Sequence, residues 1–353
     1  MGVFEAIGTD THESVHFGHD PDSGLRSIVA IHSTVLGPSL GGTRFYPYAN
    51  EADALIDVLR LAEGMTYKAA CAGLDQGGGK AVIIGDPRKI GSRALFEAYG
   101  RFIDGLAGRY ITAEDVGTTV ADMEIVVTRT AYVSGLPFES GGSGDPSPAT
   151  ARGVVAAMQA VAERIWGSED LSGRTVAIKG VGKVGMSLAE RLSARGVELV
   201  VADVNEAATQ QAAIELGAKV VPVEEIHRID CDIFAPCALG ADLNPDSIPE
   251  LACAAIAGSA NNQLASDDDA ERIAARGILY APDFVVNAGG IINIAAEQGG
   301  YDTEKAATMV DRIHDNLTTI FATADELGVG TEQAAKRIAD ERIAVAAAKG
   351  ASS

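Results

Sequence analysis

The sequence predicts an α/β fold in two domains: a mixed α/β domain first, then a domain built on a doubly wound parallel sheet. Three observations predict it. At 353 residues the chain is long enough for about two ordinary domains. Short β-type runs alternate with runs of helical period along most of its length. A stretch rich in Gly, Ser and Pro, Gly135–Pro148, separates the two patterns and reads as a hinge or linker.

In the first part, Glu13–Phe17 and Arg26–Thr34 read as strands joined by a turn at Asp20-Pro21-Asp22-Ser23-Gly24. Glu51–Lys68 carries Leu55, Val58, Leu59, Ala62 and Met65 at helical spacing, one face of a helix. Ala81–Gly85 is a short strand stopped by Asp86-Pro87, Ala94–Leu106 a helix, and Tyr110–Ala113 a short strand. After the linker, Thr150–Trp166 reads as a helix. Strand Thr175–Lys179, helix Lys183–Arg195 and strand Glu198–Asp203 make a βαβ unit. Asp232–Ala235, Ala255–Ala257 and Ile278–Ala281 are further strands, and right-handed crossovers make the sheet parallel. Thr303 to Lys349 is helical and Ala-rich, and its end is expected to return to the first domain. The expected division is 1–135 with 331–353 for the first domain and 136–330 for the second.

Composition bounds the function. Hydrophobic residues make up 47% of the chain, enough for a real core, and the formal charge of -21 disfavours phosphate backbones and anionic lipid. Nucleic-acid and membrane partners are therefore not expected. Cys71, Cys231, Cys237 and Cys253 form no CxxC pair and no metal-ligand spacing, which fits a reducing cytoplasm. The acidic amino terminus lacks the apolar stretch of a signal peptide, and no run of about 18 apolar residues exists to span a bilayer. His12-Glu13-Ser14-Val15-His16 matches HExxH. That pattern needs a helix to bring both histidines to one side, and this segment alternates as a strand, so no metal site is assigned.

The strongest motif of the second part is Gly180-Val181-Gly182-Lys183-Val184-Gly185, directly between a strand and a helix. Gly180 permits the tight turn, Gly182 lets a pyrophosphate approach the backbone, and Gly185 lets helix and strand pack closely. The helix N-terminus offers unpaired N–H groups and a positive dipole to phosphate. Asp203, eighteen residues after Gly185, ends the next strand. Its carboxylate suits the two ribose hydroxyls of NAD and repels the 2′-phosphate of NADP, so NAD is the expected cofactor and the fold of this domain is Rossmann-type.

The first part carries Leu40-Gly41-Gly42-Thr43-Arg44, Met65-Thr66-Tyr67-Lys68, Gly77-Gly78-Gly79-Lys80 and Ala113-Glu114-Asp115-Val116-Gly117. Two lysines and an aspartate thus stand beside glycine-rich backbone. The run before Lys80 is not a P-loop, because Leu74 holds the place of its first glycine and Ala81 that of its Ser or Thr.

With these strings, GPSLGGTRFYPY, MTYKAACAGLDQGGGKAVIIGDP, RYITAEDVGTT, CDIFAPCALG, AGSANNQL and ILYAPDFVVNAGG, the chain resembles the glutamate/leucine/phenylalanine/valine dehydrogenases over nearly its whole length. It is most similar to the leucine and valine branch. The resemblance implies reversible, NAD-dependent oxidative deamination of L-leucine and related branched-chain amino acids to the 2-oxo acid and ammonia. It implies that Lys68 binds the substrate carboxylate, that Lys80 activates the water attacking the imine, and that Asp115 shuttles the proton of the amino nitrogen. Leu40, Gly41, Gly42, Met65, Ala113, Ile291 and Ile294 would line the substrate pocket. Thr150, Val181, Lys183, Val184, Asn205, Ala238, Ala260, Asn261, Asn262 and Asn287 would join the three glycines and Asp203 around the cofactor. It also implies a homo-oligomer, octamer or dimer, and a cleft that closes on substrate.

The chemistry is consistent with those roles. A lysine base must lose its proton near neutral pH, which burial and a neighbouring cation such as Lys68 favour. An ammonium at Lys68 suits a carboxylate in a low-dielectric cleft. Bulky Ile291 and Ile294 favour an aliphatic over an aromatic side chain, and one methylene is worth only about 1–3 kcal/mol of discrimination. Valine or phenylalanine as preferred substrate is the alternative within the family. A catalytically inactive NAD-binding regulator is the alternative outside it.

Overall fold

The computed structural model describes residues 12–238, 240–266, 268–298 and 300–350, so the reading of residues 1–11 as free of a leader lies outside the described residues. The chain forms two compact units. One comprises residues up to Asp145, Ile294–Thr303 and the chain from Ala339; the other is Pro146–Asn293 with Glu304–Ile338. The sequence reading set the divide at 135/136 and a single return at 331; contacts set it at 145/146, with returns at Ile294 and Ala339.

The first unit is a five-stranded mixed sheet in the order β1-β2-β4-β3-β5: β1 (Ser14–Asp20), β2 (Leu25–Ser33), β3 (Ser39–Tyr46), β4 (Gly77–Ile84) and β5 (Tyr110–Glu114). β1 and β4 pair antiparallel with β2, while β4, β3 and β5 are mutually parallel neighbours. Helix α1 (Glu51–Cys71) covers one face. Asn50 caps it by accepting from the Asp53 N–H, and Ala54, Leu55, Val58, Leu59 and Ala62 pack on Ile28, Ala30 and Val82. α2 (Pro87–Ile90) is a single turn capped by Asp86, so the Asp-Pro stop signal works as a helix start. α3 (Arg93–Asp104) and α4 (Val120–Val126) cover the other face, where Leu95, Phe96, Tyr99, Ile103 and Met123 meet Val29, Ile31, Ala81 and Ile83. Along β4, then, Val82 faces α1 while Ala81 and Ile83 face α3. Lys80, two residues before Val82, falls on the α1 side.

Two elements here depart from the sequence reading. β4 begins at Gly77, so the three glycines and Lys80 are inside a strand, four residues earlier than Ala81. β3, which had no strand assigned to it, lies between β4 and β5. Glycines carry no β-branched signal, and these are retained because neighbouring backbone leaves no room for a side chain. A Cβ at Gly41 would fall 1.8 Å from the Gly79 carbonyl oxygen, and one at Gly78 would fall 2.1 Å from Thr66 Oγ1 of α1.

The second unit is an all-parallel six-stranded sheet in the order β11-β10-β9-β6-β7-β8. Its strands are β6 (Thr175–Lys179), β7 (Glu198–Ala202), β8 (Lys219–Val220), β9 (Cys231–Pro236), β10 (Cys253–Ile256) and β11 (Leu279–Tyr280). Counted from β6 this is 6-5-4-1-2-3, the doubly wound dinucleotide-fold order, as expected; the two-residue β8 is the strand the sequence reading missed. α5 (Ser147–Trp166) precedes β6, α6 (Lys183–Ser193), α7 (Glu206–Leu216) and α8 (Asp268–Ala275) come after β6, β7 and β10, and α9 (Asp283–Val286) and α10 (Gly289–Ala295) come after β11. The carboxy-terminal helical stretch is three helices: α11 (Thr303–Asp311), α12 (Ile313–Leu327), closed by Gly328 in the left-handed region, and α13 (Thr331–Gly350). In the part of α13 that belongs to the first unit, the Arg342 guanidinium donates to the Ala69 and Ala70 carbonyls and meets Asp75. It thereby caps the end of α1 that carries Lys68. No described helix is long and apolar enough to cross a membrane.

Candidate active site

The α1-facing side of the first sheet gathers the polar residues read from the sequence. Parallel register sets Leu40 beside Gly78 and Gly42 beside Ala113, so Leu40, Gly42, Arg44, Gly78, Lys80 and Ala113 share that side. Asp115 follows the last residue of β5 in the same phase. Its Oδ2 lies 2.7 Å from Lys80 Nζ and 3.5 Å from Arg44 Nε. Lys80 is 7% exposed, so a charged lysine is held in the sheet only because a carboxylate meets it. Burial pushes the Asp115 carboxyl up, but the Lys80 ammonium and the Arg44 guanidinium outweigh it and hold Asp115 below the usual carboxylate range.

The surroundings fix this pair. The Asp115 N–H donates to Thr118 Oγ1 at 2.9 Å, and that hydroxyl donates to the Thr43 carbonyl at 2.8 Å. Arg44 is anchored from α1 by Asp57 at 2.9 Å, which also accepts from the Tyr48 hydroxyl. On the far side of the sheet the buried Tyr110 hydroxyl donates to the Gly41 carbonyl at 2.6 Å. A Cβ at Gly42 would lie 2.6 Å from the Glu114 carbonyl oxygen and 2.8 Å from Asp115 Cβ, so glycine lets β3 approach Asp115. Lys68 and Met65 are half-buried in the last turns of α1, next to Thr66, which packs on Gly78. Gly135, at a φ of +78°, places its α-carbon between Ala113 and Ile294: a Cβ there would lie 3.9 Å from Ala113 Cβ and 4.0 Å from Ile294 Cδ1. Glu297 ties that loop by accepting from the Gly135 and Ser143 N–H groups.

In the second unit the three motif glycines have three different physical causes. Gly180 adopts a φ of +99°, and a side chain there would strike Ala238. Gly185 lies against the Gly180 carbonyl, where a Cβ would fall 1.9 Å from the oxygen. At Gly182 a Cβ would meet nothing within 4 Å, and the backbone is ordinary at φ -68°. No contact among the described residues requires glycine there, so the cleared space at the N-terminus of α6 suits an external group. Asp203 accepts from the Val181 N–H at 2.7 Å and from the Asn205 N–H at 2.8 Å, bracing the turn between Gly180 and Gly182. Val184 and Lys183 form the first turn of α6. Gly290 leaves room for the Thr150 hydroxyl, which donates to the Pro146 carbonyl. Asn287 donates through Nδ2 to Asn261 Oδ1 at 2.9 Å and to the Ala260 carbonyl, beside Asn262 at a φ of +52°. Its buried Oδ1 has no hydrogen-bond partner among the described residues, an acceptor suited to an amide donor such as a carboxamide.

Comparison with known proteins agrees with this geometry. Residues 12–132 match the Glu/Leu/Phe/Val dehydrogenase dimerisation domain, and residues 200–350 match the Glutamate/Leucine/Phenylalanine/Valine dehydrogenase profile. The chain belongs to the Glu/Leu/Phe/Val dehydrogenase family. Residues 148–239 also match the NAD-binding domain of D-isomer specific 2-hydroxyacid dehydrogenases, so the glycine turn is that of an NAD-binding domain. Among family members, leucine dehydrogenase of Geobacillus stearothermophilus is 52% identical over 97% of this chain and 94% of its own length. Valine dehydrogenase of Streptomyces coelicolor is 50% identical over 95% and 93%. The crystal structure of L-tryptophan dehydrogenase from Nostoc punctiforme superposes with a TM-score of 0.84 at 45% identity, covering 95% of this chain and 97% of that one.

The sequence reading brought out Lys80 and Asp115 without showing that they touch, and it passed over their supports. Arg44 stands within the LGGTR string and gave a signal that could have been used, a cation two residues after a glycine pair. Asp57, Tyr48, Thr118, Gly135 and Glu297 gave none, because each acts through contacts between elements: Asp57 and Tyr48 around Arg44, Thr118 on the Thr43 carbonyl, and Glu297 on the Gly135 N–H. HExxH is dispersed: His16 lies in β1 and bonds Ser14 Oγ, while His12 Nε2 reaches the Leu59 carbonyl.

Proposed function

We propose that this chain catalyses reversible NAD-dependent oxidative deamination of L-leucine and related branched-chain L-amino acids, giving the 2-oxo acid and ammonia. The observation that carries the proposal is the Lys80–Asp115 pair at 2.7 Å on a glycine-cleared sheet face, in a chain about half identical to leucine dehydrogenases. When bound, NAD accepts the hydride that leaves Cα. The first unit supplies the rest. Lys68 holds the substrate carboxylate as a point charge. Asp115, kept anionic by its two cationic neighbours, takes the proton of the substrate ammonium. Lys80, once it has given up its own proton to solvent, is the neutral amine that takes a proton from the water adding to the iminium carbon; Asp115 returns its proton to the nitrogen, and collapse of the adduct releases ammonia. Arg44 sets the position of Asp115 against that exchange. Gly180, Gly182, Gly185, Asp203 and Asn287 bind the dinucleotide.

Leu40, Gly41, Gly42, Met65, Ala113 and Ile294 of the first unit line the substrate in this reading, and Ile291 is assigned to the same role by the family likeness alone. Leu40, Ala113, Ile291 and Ile294 are buried and apolar, with no cation among them for a second carboxylate. The family likeness supports a homo-oligomer, and the cysteine pattern and charge support a cytoplasmic enzyme. The test is a panel of L-amino acids with NAD, scored as kcat/KM by NADH absorbance. Leucine, valine and isoleucine should lead, leucine first, with glutamate inert. Phenylalanine or tryptophan at the top would overturn the pocket assignment, and no NADH with any of them would leave an NAD-binding regulator.

A further inference from the structure

A second cluster, wholly within the second unit, plays no part in the chemistry above. It joins Glu163 near the end of α5, Glu169 three residues beyond that helix, and His314 in the first turn of α12. One ligand-type atom of each side chain lies within 4.8 Å of the others. His314 Nε2 stands 3.4 Å from Glu163 Oε2 and 3.4 Å from Glu169 Oε1. The other ring nitrogen, Nδ1, is 3.2 Å from Asp315 Oδ1. The side chain of His314 is only 19% exposed, and its Nε2 is buried with no hydrogen-bond partner among the described residues.

We propose that Glu163, Glu169 and His314 bind a divalent transition-metal ion of the zinc class. Three features carry this. Bonds of about 2.1 Å arranged tetrahedrally put neighbouring ligand atoms about 3.4 Å apart. That is the spacing of Nε2 from each carboxylate here, too long for a good hydrogen bond and right for two edges of a metal tetrahedron. A metal-binding histidine generally gives its second N–H to a carboxylate, and Asp315 stands at that nitrogen. Two carboxylates converging on one imidazole, in a chain of net charge -21, repel each other unless a cation lies between them.

The remaining edge, between the glutamates, closes by rotation, since both side chains are about half exposed. The cluster borders a recess of about 460 Å³ that also has Thr308, Asp311, Arg312 and Asp315 in its wall. Asp311 is neutralised by Arg152, so Arg312 is the cation of that wall. The recess leaves the fourth coordination position to water, and an imidazole nitrogen with two carboxylate oxygens suits Zn²⁺ or Co²⁺ over Mg²⁺. The ion would clip the end of α5 and the loop after it to α12. The competing account is a protonated His314 bridging both glutamates with no metal.

The experiment uses the untagged full-length protein, stripped with chelator and titrated with Zn²⁺ by calorimetry and with Co²⁺ by visible absorption. One equivalent per chain should bind in the micromolar range or tighter. The Co²⁺ complex should show the intense bands of four-coordinate cobalt, and Zn²⁺ should raise Tm. Glu163→Gln and His314→Gln should each weaken binding by about 10-fold or more, Asp315→Asn by about 10-fold, and all should keep leucine turnover and metal-free Tm. His16→Ala should leave binding unchanged. Binding no tighter than about 100 µM, or binding equal in His314→Gln and the parent chain, would overturn the metal site and leave the protonated bridge.

Discussion

Replacing Gly42 by alanine tests how the sheet positions Asp115. The new Cβ would stand 2.6 Å from the Glu114 carbonyl oxygen and 2.8 Å from Asp115 Cβ, where ordinary contact begins at 3.4 Å. The end of β5 must therefore retreat by roughly 0.6–0.8 Å, and backbone on both sides leaves no flexible side chain to absorb the shift. Asp115 is the residue displaced, against a Lys80 ammonium at 2.7 Å. A misplacement approaching 1 Å costs up to about 100-fold in rate, so kcat with L-leucine should fall about 10- to 100-fold. Overpacking should cost about 1–3 kcal/mol of stability. NADH affinity, measured by fluorescence, should stay within about two-fold, because the dinucleotide residues belong to the other unit. The assay is steady-state kcat beside NADH binding and thermal unfolding. A variant with lowered Tm and unchanged kcat would refute the claim that Gly42 sets the catalytic carboxylate, and lost NADH binding would show a general collapse instead.

Other outcomes follow from the same contacts. Gly182→Ala should fold with nearly unchanged Tm yet weaken NADH binding by about 10-fold or more, whereas Gly185→Ala should lose stability first, because only the latter's Cβ collides with backbone; equal Tm values for the two would contradict this. Arg342→Met removes the cap on α1 and should raise KM for leucine through Lys68 with kcat nearly constant, checked by steady-state kinetics. His32 is held by burial at a pKa of about 4, below the model-peptide 6.5. Between those values the unfolded chain binds a proton that the fold refuses, so stability falls as pH drops from about 6.5 to about 4. The shift bounds the effect at roughly 3 kcal/mol, and partial exposure of the ring reduces it to about 1–2. Urea midpoints of the parent chain and His32→Asn should therefore converge or cross as the pH falls, and parallel midpoints would dismiss the effect.

Much of the second unit was legible because its signals are local. The β6–turn–α6 sequence, the three glycines and Asp203 all lie within thirty residues, and the turn formed where the motif put it. The first unit was harder to read. β3 and the start of β4 are glycine-rich, so alternation and β-branching fell silent at the two strands that matter most, and Lys80 fell just outside the strand read from Ala81. What makes them strands is close approach of neighbouring backbone, a tertiary cause. Asp57 and Thr118 were silent for a related reason, since Asp57 acts through Arg44 of another element and Thr118 is anchored on the Thr43 carbonyl. The anticipated neighbour of Lys80 was the Lys68 ammonium, and the structure sets the Asp115 carboxylate at 2.7 Å.

Single-turnover and steady-state assays of Lys80→Ala, beside its NADH dissociation constant, test the central claim most directly. With the lysine gone, water addition and proton exchange lose their base, and turnover of L-leucine should drop at least about 1,000-fold while NADH still binds within about two-fold of the parent chain. Turnover near the parent rate would mean that the Lys80–Asp115 pair is structural and that the deamination chemistry belongs elsewhere in the chain.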